Sequence, residues 1–371
     1  MNKGQKRLVV GVLLAASSTI ILIFGGAYIR KNIQENRTAQ TDSQPAITED
    51  KTAVPTPTED PHAGMARSPM TGEWVKESVL NNRYVAVMIN NIGYAFRHQM
   101  GTSKADIIYE ALAEGGITRM MALYQNVSGV KQIGSVRSAR HYYVQFAREW
   151  DAIFCHFGHT KYAVSKMKKL KTENLSGLSG IGPVVYARTN TLAAPHNVFT
   201  TGKKIIKGAK KLGYNVKAKG RDAAEHFSFY DEDTVPAGGK KANQITIPFS
   251  NYSTSRMKYN KKKKVYLKYE YGSKHMDTYY KKQLAFKNVL IQFVRESNID
   301  RNGYQTMELG NVNGKGYYYT NGKEIPITWE RSESANTMVY RDKSGNTLKI
   351  NPGKTYIAVY PNNRKKLIRV K

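Results

Sequence analysis

Cysteine is nearly absent from this chain: Cys155 is the single one in 371 residues. That excludes an internal disulfide framework and any zinc site built on cysteine. Cys155 lies in the apolar run Ala152-Ile153-Phe154-Cys155 and reads as a buried, inert thiol. Acidic residues are scarce too. Lys+Arg number 58 against Asp+Glu 28, giving a net charge of +30 and an isoelectric point of about 9.9. Such an excess implies an anionic partner: nucleic acid, an anionic membrane face or an anionic wall polymer. No G-x-x-x-x-G-K-[ST], H-E-x-x-H or G-x-S-x-G occurs, so a nucleotidase, a zincin or a standard serine hydrolase gains no support. No internal repeat is visible.

What is present begins with an uncharged run from Leu8 to Ile29, bounded by Lys3, Lys6 and Arg7 on one side and Arg30 and Lys31 on the other. As a helix it would span roughly 33 Å, enough for a bilayer core. Residues 1–31 therefore read as an uncleaved signal anchor, with the larger basic group at the N-terminus favouring a cytoplasmic N-terminus. No cysteine follows the run, which excludes a lipid anchor there. Residues 32–67 are rich in Thr, Gln, Pro and acids and nearly free of aromatics, the composition of a disordered extracytoplasmic linker. The basic excess thus belongs to residues 68–371.

Residues 68–220 read as an α/β domain. Tyr84–Ile89 is a continuous apolar run, as expected of a strand covered on both faces. Ser103 with Asp106 three residues on predicts a helix start, with Ile107, Ile108, Ala111 and Leu112 as its buried stripe and Gly115-Gly116 as its stop. Strands are predicted at Ile117–Gln125, 132–136 and 152–157. Helices are predicted at 138–150 and 160–170, the latter with Ala163, Val164, Met167 and Leu170 inward. Residues 221–371 read as a β-rich domain with recurrent turn signals. Asn321-Gly322 between YYYT and KEIPITW predicts a hairpin.

On the expected helix, Asp106, Glu110 and Glu114 share one face, and like charges at that spacing oppose helix formation by about 0.3 kcal/mol per pair. Arg119, Arg137 and Arg140 follow at once and could compensate. Either the carboxylates are a solvated face, or Glu110 and Glu114 orient the arginines or hold a divalent cation. The turn Gly134–Arg140 offers Ser135 and two guanidinium forks, an anion pocket for phosphate or carboxylate, or else structural pairing with carboxylates. His156, His159 and His196 are candidate acid–base groups or satisfied structural histidines. His275 and Asp277 could meet this site from the second half. Lys203–Arg221 and Arg256–Lys282 are basic, the second also tyrosine-rich, and suit a wall polymer or membrane surface better than nucleic acid in an exported protein.

Several stretches resemble the YerB-like family of exported bacterial proteins, which are often lipoproteins. They are Ser68-Pro69-Met70-Thr71-Gly72, VAVMINN, ADIIYEALAEGGITR, IGSVRSAR with Tyr143, WDAIFCHFG, APHNVFT, KHMD, NVLIQF, Trp329 and INPGKTYI. The resemblance covers nearly all of residues 68–362. It implies an α/β part followed by a β-rich part and transfers no catalytic residues. The family's lipid-bearing cysteine is replaced here by the apolar run. Its Asp-Asn after the first strand reads Asn90-Asn91, so no metal role carries over to that position. The order of Arg119, MMALYQN and Arg137 is similar to that in the LytR-CpsA-Psr wall ligases, which bind a polyprenyl diphosphate through arginines; their aspartate beside the arginine is Ser138 here.

The expectation is a membrane-anchored, extracytoplasmic cell-envelope protein that binds a wall glycan or a polyprenyl-phosphate-linked precursor. Its ligand-binding residues would be Asn91, Arg119, Ser135, Arg137, Arg140, Tyr143, His196, Asn197, His275 and Asp277. The alternative is an envelope enzyme, a phosphotransferase with Mg²⁺ or a glycan hydrolase, using Glu110 or Glu114 with His156. A third reading is a structural partner of a wall-synthesis complex. No resident cofactor or metal ligand is expected in the binding reading, and no nucleic-acid partner.

Overall fold

The apolar run after Arg83 forms the strand its sequence implies: Val85–Asn91 (β1) is buried at every residue. The computed structural model describes residues 60–218, 226–335 and 337–371. The expected membrane anchor and most of the linker fall outside the described residues. The linker's expected end at 67 is corrected, because Met65–Arg67 pairs antiparallel with Trp74–Lys76. His62 stacks on Trp74 at 3.9 Å and the Arg67 guanidinium lies 4.7 Å from the same ring.

The helix expected after Ser103 is a strand, Ile107–Leu112 (β2), buried throughout. Two β-branched isoleucines and a tyrosine favour a pleated surface covered on both sides. Asp106 does not cap a helix; its carboxylate accepts the Gln125 backbone N–H at 2.8 Å. Thr118–Tyr124 (β3), His141–Glu149 (α1), Ile153–His156 (β4), Lys161–Lys169 (α2), Asn174–Ser176 (β5) and Gly202–Lys211 (α3) come next in the chain. Thr160 caps α2 by accepting the Ala163 N–H at 3.1 Å. Ala163 and Met167 are buried, but Val164 faces solvent, so the inward stripe is narrower than expected.

The C-terminal half supplies Gln244–Pro248 (β6), Thr254–Asn260 (β7), Val265–Glu270 (β8), Asn288–Val294 (β9), Val312–Thr320 (β10), Lys323–Ser332 (β11), Thr337–Arg341 (β12) and Thr355–Pro361 (β13). The turn between β10 and β11 is Asn321-Gly322, both with positive φ (+48° and +72°), the hairpin geometry the dipeptide predicts.

Among the described residues, an eleven-stranded sheet crosses both halves of the chain. From β11 the order runs β10, β9, β13, β2, β3, β1, β4, β5. The C-terminal strand β13 lies between β9 and β2, parallel to both. The expected division at residue 220 therefore does not divide the sheet, and Asp60–Lys371 forms one compact unit.

Register decides what each face carries. Asn90 and Ala111 pair with Arg119, while Asn91 and Leu112 pair with Thr118. Alternation puts Asn90, Tyr109, Ala111 and Arg119 on one face and Asn91, Glu110 and Thr118 on the other. Helix α1 covers the first face: Trp150, just past its end, donates to the Tyr109 hydroxyl at 2.9 Å, and Phe146 stacks on Tyr109 at 4.8 Å. The smaller sheet containing β6, β7 and β8 covers the second. Ser255 from β7 and Lys268 from β8 both reach Glu110 there.

Candidate functional site

Two polar centres lie back to back on β1–β3. The first is the arginine recess on the α1 face. Arg119 projects from β3 and is 3% exposed. Its Nη1 donates to the Ser138 carbonyl at 2.8 Å. Arg140, just before α1, makes a bidentate pair with Glu114, with Nη2 to Oε2 at 2.6 Å. Arg119 shares that carboxylate at 3.6 Å. Arg137 is half-buried and donates to the Pro195 carbonyl at 3.2 Å.

Two guanidinium groups, those of Arg119 and Arg140, thus converge on one carboxylate, and Arg137 lies beside them, close enough to Arg140 to be lowered by its charge. Burial and then the neighbouring Arg140 bring Arg119 down to about 9. Burial, Arg140 and Arg188 lower Arg137 as well, against the pull of Glu114. Burial opposes the charge of Glu114, but Arg140 and Arg119 outweigh it and hold that carboxyl below its usual value. The Nε of Arg119 is buried with no hydrogen-bond partner among the described residues. An unpaired buried donor on a cation costs about 1–3 kcal/mol, which an anion would recover.

The backbone contributes less than expected. The N–H groups of Val136, Arg137 and Ala139 are committed to the carbonyls of Val198, Met88 and Gly158. Side chains, not a nest of free amides, make this recess positive. Arg188, which the sequence reading passes over, joins its rim. It donates to Asn197 Oδ1 at 2.6 Å and lies 4.8 Å from the Phe157 ring. Nothing local in Ala187-Arg188-Thr189 marks it; only the fold brings it near. His196 stands beside the recess, its Nδ1 2.9 Å from Asn90 Nδ2, and burial with Arg137 and Arg119 lowers its pKa.

The second centre is on the opposite face and fully enclosed. Lys268 Nζ lies 3.1 Å from Glu110 and also pairs with Glu270; all three side chains are sealed from solvent. Glu110 further accepts from Tyr356 at 2.7 Å, Thr118 at 2.8 Å, and Asn91 and Ser255 at 3.1 Å each. Ser253 donates to Glu270 at 2.8 Å. Burial and the Glu270 charge push Glu110 up. Burial works against Glu270 too, but Lys268 holds it well below the carboxylate range. Burial opposes the charge of Lys268, and the two glutamates more than restore it.

The hydrogen bonds fix the His275 tautomer. Gln99 donates to Asn90 O at 2.8 Å and Asn91 Oδ1 at 2.9 Å, so its Oε1 must accept from His275 Nε2 at 2.6 Å. Nδ1 is then bare and accepts from Lys268 at 3.1 Å. A neutral imidazole fits its pKa of about 4, set by burial and Lys268. Lys268 and Glu270 escape a sequence reading because they lie inside a tyrosine-rich basic stretch. The available signal is the strand period, which places residues 266, 268 and 270 on one face.

The remaining expected site residues fall elsewhere. Tyr143 is buried under the sheet, accepting from Ala111 N at 3.0 Å and donating to Arg119 O, so it braces β2 against β3 rather than meeting a ligand. Ser135 is sealed and donates to the His196 carbonyl. Asn91 belongs to the enclosed centre. Asn197 holds Arg188 and the Thr189 carbonyl. Asp277 caps the turn Thr102–Lys104 by accepting from Ser103 N and Oγ at 2.9 and 2.7 Å. His156 is buried between Gly158 O at 2.8 Å and Asn174 Oδ1 at 3.2 Å, and burial lowers it to about 4.

The expected catalytic trio is therefore not assembled. Glu110 on β2 and His156 on β4 are three strand positions apart, about 14 Å, and Glu114 is on the other face from Glu110. The expected Mg²⁺ pair does not fit either: both Glu114 oxygens face Arg140, and Glu110 is surrounded by donors.

The comparisons accord with this architecture. Residues 70–215 match the model described as the N-terminal domain of DUF3048, a protein of unknown function, and residues 245–357 match its C-terminal domain. A curated relative, named "Putative lipoprotein YerB" from Bacillus subtilis (strain 168), is 32% identical over 298 residues, 80% of this chain and 86% of that protein. The crystal structure of YerB from Bacillus subtilis superposes with a TM-score of 0.73 at 29% identity, covering 82% of this chain and 99% of that one. The chain belongs to the DUF3048 family, the YerB-like proteins.

Proposed function

We propose that this protein is tethered to the membrane by its N-terminal apolar run and works on the extracytoplasmic side of the cell envelope. There the arginine recess binds the anionic group of a wall glycan or a polyprenyl-phosphate-linked precursor. The tether is supported by the uncharged run Leu8–Ile29 and by a relative that carries the name of a lipoprotein. The observation that carries the binding reading is the charge count in the recess. Arg119 and Arg140 share Glu114, Arg137 beside them forms no ion pair among the described residues, and there Arg119 keeps a buried donor without a partner. A phosphate or carboxylate supplies both the missing charge and the missing acceptor.

Binding is favoured over catalysis because the carboxylates are occupied. Glu110 is enclosed, Glu114 is clamped by Arg140, and His156 is held between Gly158 and Asn174, away from both. Soaking crystals with inorganic pyrophosphate tests the reading. Density bridging Arg119 and Arg137 is expected; density at other sites only, with the recess empty, would refute it.

A further inference from the structure

A separate open groove lies where the ends of β9, β10 and β11 meet the helical turn Asn362–Leu367. Its volume is about 870 Å³, within the ~300–1,000 Å³ typical of ligand sites. The floor is aromatic. Tyr317 and Phe293 meet edge to face at 5.6 Å, and Trp329, on the opposite face of the sheet and 2% exposed, closes the groove behind Gly314 with its Nε1 donating to Lys315 O at 3.1 Å. That bond satisfies the one polar atom of the indole, so its remaining lining surface is apolar. Gly314 makes this floor possible: a Cβ there would lie 2.6 Å from the Trp329 ring.

The rim is basic. Lys315, Lys365, Lys366 and Arg295 line it against Glu308 alone, which Arg295 approaches at 4.0 Å. Among the described residues the three lysines form no ion pair. Asn311, Asn313 and Asn362 add amides that donate and accept. An aromatic, apolar floor, neutral amides and an uncompensated cationic rim match one chemistry best: a chain of sugar rings with C–H faces, hydroxyl edges and negative substituents. An acidic peptide would use the cations and leave the floor unfilled. A neutral glycan would use the floor and leave the rim unpaired.

We propose that this groove binds a negatively charged oligosaccharide. The site is distinct from the arginine recess, about 19 Å away across four strand positions, and does not depend on that recess having a ligand. Calorimetric titration of the full-length protein in detergent tests it, with three probes: a hyaluronan hexasaccharide (alternating uronate and N-acetylhexosamine), neutral chitohexaose, and polyaspartate. The hyaluronan hexasaccharide is expected to bind at least about tenfold more tightly than either other probe. Tyr317→Ala and the double variant Lys365→Ala with Lys366→Ala should each weaken it by about tenfold or more. Tyr317→Phe should restore binding, and Arg137→Ala should leave it unchanged. The exposed lysine pair tests the site without touching the core. The proposal is overturned if hyaluronan fails to bind, if polyaspartate or chitohexaose binds equally well, or if the groove variants bind like wild type. Loss of binding in Arg137→Ala alone would assign the ligand to the recess and equally overturn it.

Discussion

Glu114 holds the arginine recess together, and its removal separates two roles. In Glu114→Gln, Arg140 loses its bidentate carboxylate and Arg119 the one counter-charge it pairs with among the described residues. A stability loss of about 1–3 kcal/mol is expected in urea unfolding. Millimolar phosphate should recover part of it, more than it stabilises the wild type. No recovery by phosphate would argue against an anion site. The enclosed centre behaves differently. Lys268→Met leaves two carboxylates facing each other in a sealed space, and about 3–5 kcal/mol of destabilisation is expected. Adding Glu110→Gln to that variant should recover stability rather than lose more, because it removes the uncompensated charge. An additive double mutant would contradict the network. At this scale the sequence shows Arg119, Arg137 and Arg140 as a group, because they are close along the chain. It hides Lys268, Glu270 and Gln99, because their contacts with Glu110, Asn91 and His275 respectively join positions more than a hundred residues apart.

Among the elements, those with local signals are legible. The Asn321-Gly322 turn has a local cause, a pair of positive φ angles that few residues adopt. Gly322→Val should cost about 1–2 kcal/mol, since its φ is +72° and a Cβ would sit 3.1 Å from the Tyr259 ring. An unchanged urea midpoint would show that the turn is not held in this conformation. The stretch after Ser103 misleads because SKAD imitates a helix cap and Ile107, Ile108, Ala111 and Leu112 fit a helical stripe. The same residues are apolar on both faces of a strand once β13 and β3 flank it. No local pattern reports a partner strand from the far end of the chain. That distance also explains why residues 68–220 read as a self-contained domain.

For the whole molecule, the position of β13 makes folding of the N-terminal half depend on the C-terminus. Removing residues 353–371 should abolish cooperative unfolding of the entire described region, including α1 and β1–β5. A truncated protein that keeps a sharp transition would show that the halves fold independently. Acid should also act globally. His141, His156 and His275 are each held near 4 by burial, below the ~6.5 of an unfolded histidine. Between those values the unfolded chain binds more protons, so stability present above about pH 6.5 is lost as pH falls toward 4. Glu149, pushed up to about 7 by burial against the pull of Arg331, acts in the opposite direction, but three histidines outweigh it. The urea midpoint is therefore expected to drop from pH 7 to pH 4.5, and His156→Gln to flatten that drop. A flat profile in the wild type would contradict the buried neutral histidines.

The basic excess, the recess and the groove would each suit an anionic partner, and the recess is the centre of the account. Its most direct test is calorimetric titration of the full-length protein in detergent with farnesyl phosphate, beside Arg137→Ala of unchanged melting temperature. Binding that weakens with salt and falls at least about tenfold in Arg137→Ala is predicted. Equal affinity in the two proteins, or no heat of binding up to about 1 mM, would contradict it.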